Sequence, residues 1–343
     1  VSLAERVAAL EKRIKNDIIA STDPKPRPHV SSGSILVDAA LGIGGIPEDG
    51  ITEIAGHFSS GKTTLALEAI REIQERPTKN VAVFIDHEHA LDIKYAKQLG
   101  VDVKCFTKGG KFLWLKPDCL EEGADAGVDL IQDPEVGIIA VDSVAAMIPK
   151  KKMIDPSNAE IGLQARLLAP FFASMAQFAE TNKTPVILLN QVRIKLEGSG
   201  RFMKAVEDSS GGNALKFYAL VRLWLKQGER IMEPGLNPMT GEKEPIRVGQ
   251  YVWAETIKSK IAPPFRRVRF VIRYGTGVDN VQSIVDLGKA QGLIKSARGG
   301  SFEYLGDSGF KCKGLPKFKE ELETRPGVLA EIMERLDLDS LWD

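Results

Sequence analysis

Cysteine and histidine are scarce in this chain: three cysteines, Cys105, Cys119 and Cys312, and four histidines, His29, His57, His87 and His89, among 343 residues. The cysteines are isolated, so neither a disulfide framework nor a zinc site is readable and a reducing compartment is the expected setting. His87 and His89 flank Glu88, but no third ligand stands within sequence reach, which leaves metal chelation there unsupported. Net charge is absent as well. Forty-six basic and 46 acidic side chains cancel, so overall charge does not announce a nucleic-acid partner, and any such surface has to be built locally. No signal peptide and no apolar run of membrane-spanning length is present; a cytoplasmic protein with no membrane partner is expected. At this length one sizeable α/β core plus a smaller module is anticipated, taking about 100 to 200 residues per domain.

What is present is ITEIAGHFSSGKTTL at Ile51 to Leu65, an apolar strand-like segment running directly into Gly56-x-x-x-x-Gly61-Lys62-Thr63. Gly56 and Gly61 permit backbone angles that turn successive N–H groups inward on an anion, Lys62 can reach the outer phosphates, and the Thr63 hydroxyl can hold Mg²⁺. Ser59, Ser60 and Thr64 belong to the same cradle. The following helix, TTLALEAIREI, presents its positive N-terminal end to the same charge. An eight-residue pattern alone can be an ordinary turn; the strand before it and the amphipathic helix after it favour a nucleotide site.

Residues Ser2 to Ile18 read as a helix, because Ser2 and Glu5 have capping-box spacing and Leu3, Val7, Leu10 and Ile14 form one apolar stripe. A linker rich in proline and serine follows, STDPKPRPHVSSGS. Periodicity does not choose between this arm folding back on its own domain and docking on a neighbouring subunit. From Gly33 to about Gly277 strands and helices alternate. The runs ITEIA, VAVFID, VGIIAVD and PVILLN predict parallel strands covered on both faces, hence a doubly wound α/β sheet with ligands at the carboxyl ends of its strands. Pro170 should kink or restart the helix predicted from Gly162 to Thr181. Later runs, ALVRLWL, QYVWAETI and RRVRFVIR, lack intervening long helices and predict an antiparallel extension. Beyond about Val278, VQSIVDLGKAQGLI predicts a helix and ARGGSFEYLGDSGFKCKG a small hairpin before two more helices, a compact C-terminal module.

The core strands end in polar residues where a nucleotide site needs them. Asp142 and Ser143 close VGIIAVDS, a carboxylate suited to the water shell of Mg²⁺. VAVFID is followed by His87 and Glu88, and a carboxylate there can take a proton from an attacking water. PVILLN is followed by Gln191, an uncharged donor and acceptor suited to detecting a γ-phosphate. Each alone is equally a polar cap where a strand meets solvent; three in one sheet with Gly56 to Thr63 favour hydrolysis.

These motifs, with SSGSILVDAALGIGGIP, FIDHEHALD, VDSVAAMIPK, LNQVRIK and GGNALKFYALVRL, closely resemble the bacterial RecA recombinase family, including its phage-encoded members, over nearly the whole chain. The resemblance implies an ATP- and Mg²⁺-dependent recombinase with a RecA-like P-loop core at 33–277, an N-terminal helix and linker at 1–32 for subunit docking, and a C-terminal domain at 278–343. It implies a filament on single-stranded DNA that searches homologous duplex DNA, with ATP between adjacent subunits and with loader and single-strand-binding proteins as candidate partners. Glu88 corresponds to the catalytic glutamate, Gln191 to the switch coupling γ-phosphate to DNA, and Asp92 and Tyr95 to an adenine-contacting pair. Lys258 and Lys260 match two lysines inserted into the neighbour's site; at i and i+2 they point to one side of an extended chain, as a paired arginine-finger substitute requires. Without the family they read as a solvated strand face. Tyr274 and Gly275 match a cross-interface adenine contact, and Phe217 an interface residue.

For DNA, the resemblance implies two loops, one around Met153 to Gly162 followed by Arg166, the other from Val192 to Ser210. Ile161 and Leu196 match apolar side chains placed between bases, while Arg166, Arg193, Lys195, Gly211, Gly212 and Asn213 match backbone-contacting positions, so binding is expected to tolerate any sequence and to weaken with salt. Gly198 to Ser210 departs from the family pattern by about three extra residues, and Lys108 to Gly127 fits loosely. The ending EIMERLDLDSLWD stands where bacterial members carry a long acidic tail, which implies weaker self-restraint on duplex DNA. Two rival readings remain: a ring helicase or motor on the same core, and an ATP-gated DNA-binding regulatory filament without pairing activity.

Overall fold

The computed structural model describes residues 26–155, 162–197, 204–236, 241–297 and 299–338, with residues 2, 5, 6, 9 and 12 before them; for 194–197 and 204–206 it describes the backbone alone. Short strands β1 (His29–Val30) and β2 (Ile46–Pro47) pair on either side of α1 (Ile35–Leu41) in the chain. Alternation follows. β3 (Ile51–Gly56) leads into α2 (Lys62–Gln74), β4 (Val81–Asp86) into α3 (Ile93–Gln98), and β5 (Phe112–Leu115) into α4 (Leu120–Leu130). β6 (Val136–Asp142) leads into α5 (Lys150–Ile154) and α6 (Leu163–Asn182); β7 (Val186–Glu197) and β8 (Lys204–Ser209) precede α7 (Gly212–Tyr218). β9 (Val221–Leu236), β10 (Lys243–Ser259), β11 (Arg267–Arg273) and β12 (Gly277–Val278) complete the large sheet.

Its order is β12-β11-β10-β9-β3-β7-β6-β4-β5, with β8 attached to β7. From β9 to β5 all neighbours are parallel, and β3 and β4 are buried along their whole length, as continuous apolar runs require. Successive side chains alternate between two layers. Ile54, Phe84, Ala140 and Leu189 pack with Leu65 and Ile70 of α2 on one face, while Ile51, Val83, Val141 and Leu188 pack with Phe172 and Met175 of α6 on the other. Each fully buried valine, leucine, isoleucine, phenylalanine or methionine among them contributes roughly 1.5–3 kcal/mol. The fold is therefore α/β, with a large, mostly parallel sheet between helical layers.

Several expectations are corrected by the structure. ALVRLWL belongs only in part to the antiparallel extension: β9 runs parallel to β3 on one side and antiparallel to β10 on the other, and the extension continues antiparallel into β11. FLWL, within the loosely matching segment, is the edge strand β5. Helix α6 passes through Pro170 without a restart; Pro170 is solvent-exposed, so the ladder hydrogen bond its missing N–H cannot make falls on the wet side of the helix. PVILLN continues as β7 into an antiparallel hairpin with β8, so much of the second loop is strand.

The C-terminal segment contains α8 (Asn280–Ala290), β13 (Ile294–Ala297), β14 (Ser301–Tyr304), β15 (Lys311–Lys313), α9 (Leu315–Thr324) and α10 (Pro326–Arg335). Its sheet has three strands where a two-stranded hairpin is expected, because Gly292, at φ 76°, ends the helical path and Ile294 pairs with Tyr304. Ile284, Tyr304, Phe318, Leu322 and Ile332 form its own core, with Phe310 stacked on Phe318 at 4.8 Å. The predicted helix from Ser2 to Ile18 lies mostly outside the described residues. At its start the Ser2 N–H donates to Glu5 Oε2 at 2.7 Å and the Glu5 N–H to Ser2 Oγ at 3.2 Å, the reciprocal cap read from the spacing.

Candidate active site at the strand ends

Parallel register brings the polar ends of the core strands into one row. Gly56 stands opposite Gln191 and Asp86 opposite Asp142, so residues far apart in the chain meet at the carboxyl edge, where open α/β sheets bind ligands.

The phosphate loop is shaped by close approach. A Cβ on Gly56 would lie 2.5 Å from Leu225 O and from Ser60 Oγ, and one on Gly61 would lie 2.3 Å from Ile272 Cδ1. Gly61 also sits at φ 92° as the N-cap of α2 and offers no side-chain cap; the first N–H groups of the helix are left for an anion. Ser60 Oγ is buried without a partner. Lys62 Nζ donates to Gly56 O at 3.0 Å and His57 O at 2.9 Å. Burial lowers the Lys62 pKa, opposed by the nearby charges of Asp142 and Glu88. An orphan hydroxyl, uncapped helix N–H groups and a cation held only by carbonyls fit a phosphate chain.

Thr63 Oγ1 donates to Asp142 Oδ2 at 3.1 Å. The Asp142 pKa is pushed up to about 6, chiefly by burial and next by the charge of Glu88, against the Thr63 hydrogen bond. One hydroxyl and one carboxylate suit Mg²⁺, which keeps several waters and takes its remaining oxygens from phosphate. Among the described residues no three His, Cys, Asp or Glu side chains cluster as a protein-only metal cage. His87 and His89 do not converge. His89 Nε2 meets Pro117 O at 3.2 Å, while His87 packs on Gly123 and burial drives its pKa down to about 4.

Glu88 is held by two donors on one oxygen: Ser143 Oγ at 2.5 Å and Gln191 Nε2 at 2.8 Å, both to Oε1. The backbone N–H groups of His87 and Glu88 donate to Asp142 O at 2.7 and 3.2 Å, locking the turn after β4 to the end of β6. Glu88 is exposed as a residue, and a carboxylate beside the phosphate loop whose second oxygen receives neither of these hydrogen bonds can take a proton from water.

On the other side of the loop a cleft of about 340 Å³ is lined by Ser59 to Thr64, Tyr95, Gln250, Tyr274 and Gly275. Tyr95 OH and Thr64 Oγ1 are 2.8 Å apart. Asp92 caps α3, accepting from the Lys94 and Tyr95 N–H groups at 2.8 and 3.2 Å, so its first task is to orient Tyr95. Tyr274 and Gly275 line the cleft of their own phosphate loop, where β11 packs Ile272 against Gly61. Gln250, which sequence reasoning missed, donates to Ser59 O at 2.6 Å and accepts from Tyr274 OH at 3.3 Å. A polar residue within an apolar strand was its only local signal.

Lys258 and Lys260 are absent from that cleft. Both turn to the C-terminal end of α7: Lys258 Nζ donates to the carbonyls of Lys216, Phe217 and Ala219, and Lys260 Nζ to Phe217 O at 2.7 Å. Their common side matches the i, i+2 expectation. Burial, then the charges of Lys260 and Arg222, lower the Lys258 pKa to about 8. Phe217 beside them is 72% exposed, a large apolar side chain left on the surface next to two cations.

In the hairpin, Arg193 is exposed and in register with Asp208, and His57 of the phosphate loop meets Glu207 at 3.4 Å. Ile161 and Gly198 to Met203 lie outside the described residues, as do the side chains of Lys195 and Leu196. Arg166 is exposed on α6; Gly211 and Gly212, at φ 99° and 68°, begin α7 ahead of exposed Asn213. Beneath α7 lies a second feature missed from sequence: Glu53 is fully buried, bonded to Arg222 and Asn190. Opposite charges inside two apolar runs were its signal.

The RecA N-terminal domain family matches residues 3–279. Protein RecA 1 of Myxococcus xanthus is 35% identical over 333 residues, covering 96% of this chain and 90% of that protein. Protein RecA of Gluconacetobacter polyoxogenes is 37% identical over 308 residues, covering 90% and 82%, and that of Borreliella afzelii (strain PKo) is 40% identical over 281 residues, covering 81% and 71%. Among the described residues no helix is long and apolar enough to cross a membrane. With a phosphate loop, an acidic strand end and a glutamate bridged to a glutamine on one sheet edge, and with similarity over nearly its whole length, the chain belongs to the RecA family of recombinases.

Proposed function

We propose that this protein is a DNA-dependent ATPase that polymerises on single-stranded DNA and catalyses homologous pairing and strand exchange in the cytoplasm of a bacterium or phage host. The observation that carries the reading is the bridge from Glu88 to Gln191 at the foot of the β7–β8 hairpin. Lys62 and the N-terminus of α2 hold the phosphates, and Tyr95, Tyr274 and Gly275 hold the base. Thr63 and Asp142 would hold Mg²⁺, Asp142 through water, and the ion would supply charge screening at the phosphates. Glu88 takes a proton from water as the water oxygen bonds to the γ-phosphorus and the bond to the ADP oxygen breaks. Ser143 and Gln191 position that carboxylate.

In this reading Lys258, Lys260 and Phe217 meet a neighbouring copy, whose nucleotide closes the interface, and the segment 1–32 docks on that neighbour. Gln191, freed from or held to Glu88 according to nucleotide state, changes the base of the hairpin, where Arg193 and Lys195 contact phosphate and Leu196 and, from the first loop, Ile161 enter between bases. Arg166, Gly211, Gly212 and Asn213 complete the DNA contacts. The segments 33–277 and 278–343 act as ATPase core and accessory domain, and loader or single-strand-binding proteins assist assembly. Joint-molecule formation between a single strand and homologous supercoiled duplex tests this. Homology-dependent product only with ATP is the expected result; DNA binding and turnover without product would overturn pairing and leave a motor or a regulatory filament.

A further inference from the structure

Strands β3, β7 and β9 enclose one carboxylate with no access to water. Glu53 Oε1 accepts from Asn190 Nδ2 at 2.8 Å and Oε2 from Arg222 Nε at 2.5 Å. Every arm of this group leads to a working part. Asn190 precedes Gln191, whose backbone N–H it also receives on Oδ1 at 2.9 Å, and its Nδ2 donates to Ser210 O at 2.7 Å, where the hairpin ends. Arg222 Nη2 donates to Ser209 Oγ at 3.0 Å. Glu53 itself lies three residues before Gly56 on the strand that enters the phosphate loop, and Arg222 is the register partner of Lys258.

A buried ion pair adds little to stability compared with an apolar pair of the same volume, and its best-attested use is to specify one arrangement among several. Here the arrangement fixed is that of four elements: the phosphate-loop strand, the switch strand, the exit of the hairpin and the lysine strand. We infer that Glu53, Arg222 and Asn190 are positioning residues that couple nucleotide binding to DNA binding. A shift of β3 when phosphate fills the loop moves Glu53, and the side chains bonded to its carboxylate, Asn190 and Arg222, carry that movement to Gln191, to Ser209 and Ser210, and to the backbone of Lys258. The inference rests on the nucleotide-gated DNA-binding reading above.

The test uses the full chain, a fluorescent single-stranded oligonucleotide and a non-hydrolysable ATP analogue, and reads the ratio of DNA affinities with and without the analogue. Coupling is reciprocal, so DNA must change analogue affinity by the same factor. Glu53→Gln keeps the shape and removes the charge. It is expected to leave analogue affinity within about threefold, while the coupling ratio falls at least tenfold. A wild-type protein whose DNA affinity ignores the analogue would defeat the underlying reading; a responsive wild type with an equally responsive Glu53→Gln variant would overturn the inference alone. If Glu53→Gln does not fold, the paired change Glu53→Leu with Arg222→Met removes both charges together. The same loss of coupling in that folded variant supports the inference, and retained coupling overturns it.

Discussion

Gln191 Nε2 lies 2.8 Å from Glu88 Oε1, joining the end of β7 to the turn after β4. The residue at the foot of the hairpin thereby holds the carboxylate that accepts the proton of water in the proposed reaction. Because the second donor, Ser143 Oγ, uses the same oxygen, Oε2 stays available for that proton. Replacing Glu88 by alanine removes the base and leaves the phosphate loop and lysines intact. Turnover should fall by about 10²- to 10⁴-fold, while filaments still form with ATP under electron microscopy. Filaments lost with turnover retained would contradict the assignment.

Gly61 tests the cradle. Alanine there meets Ile272 Cδ1 at 2.3 Å and must hold φ 92°. The backbone strain alone costs on the order of 1–3 kcal/mol, so the melting temperature should drop and nucleotide-analogue binding should be lost. Trimming Ile272 to alanine in the same chain relieves the contact but not the φ; a second variant that binds nucleotide normally would show that contact, rather than backbone conformation, demands glycine.

Lys258 should give the reaction an alkaline limit. Its pKa is lowered to about 8 by burial, then by Lys260 and Arg222; below that pH it is charged, and above it the charge on which a cross-subunit role depends is lost. DNA-stimulated hydrolysis is expected to decline as pH rises through about 8. Lys258→Arg keeps a cation well above that range, so its profile should lose the limb. An identical limb in wild type and variant would assign the limit to another group.

Arg193 tests the hairpin as a DNA surface. An exposed arginine on a phosphate contributes about one released counterion, so Arg193→Ala should reduce the slope of log affinity against log salt by about 1, with similar weakening on every sequence. Fluorescence anisotropy across a salt series measures it. An unchanged slope would remove Arg193 from the contact.

Much of this molecule is legible without coordinates, because its signals are local. The parallel strands show as short apolar runs, the phosphate loop as glycines at fixed spacing between a strand and a helix, and the acidic strand ends as single polar residues closing those runs. Asp142, Glu88 and Gln191 were readable on that ground. What remained illegible depends on partners distant in sequence. The parallel course of β9 shows only in its pairing with β3, where Arg222 stands opposite Glu53, 169 residues away, and an apolar run reads the same in either direction. Tyr274 and Gly275 line the cleft beside their own phosphate loop because Ile272 packs on Gly61, a contact no spacing rule contains. Side-chain type and period determined which segments are strands and helices and which residues could do chemistry. Only tertiary packing decided which of those residues meet, since register and burial are set by the sum of many weak contacts across the sheet rather than by any residue's neighbours in the chain.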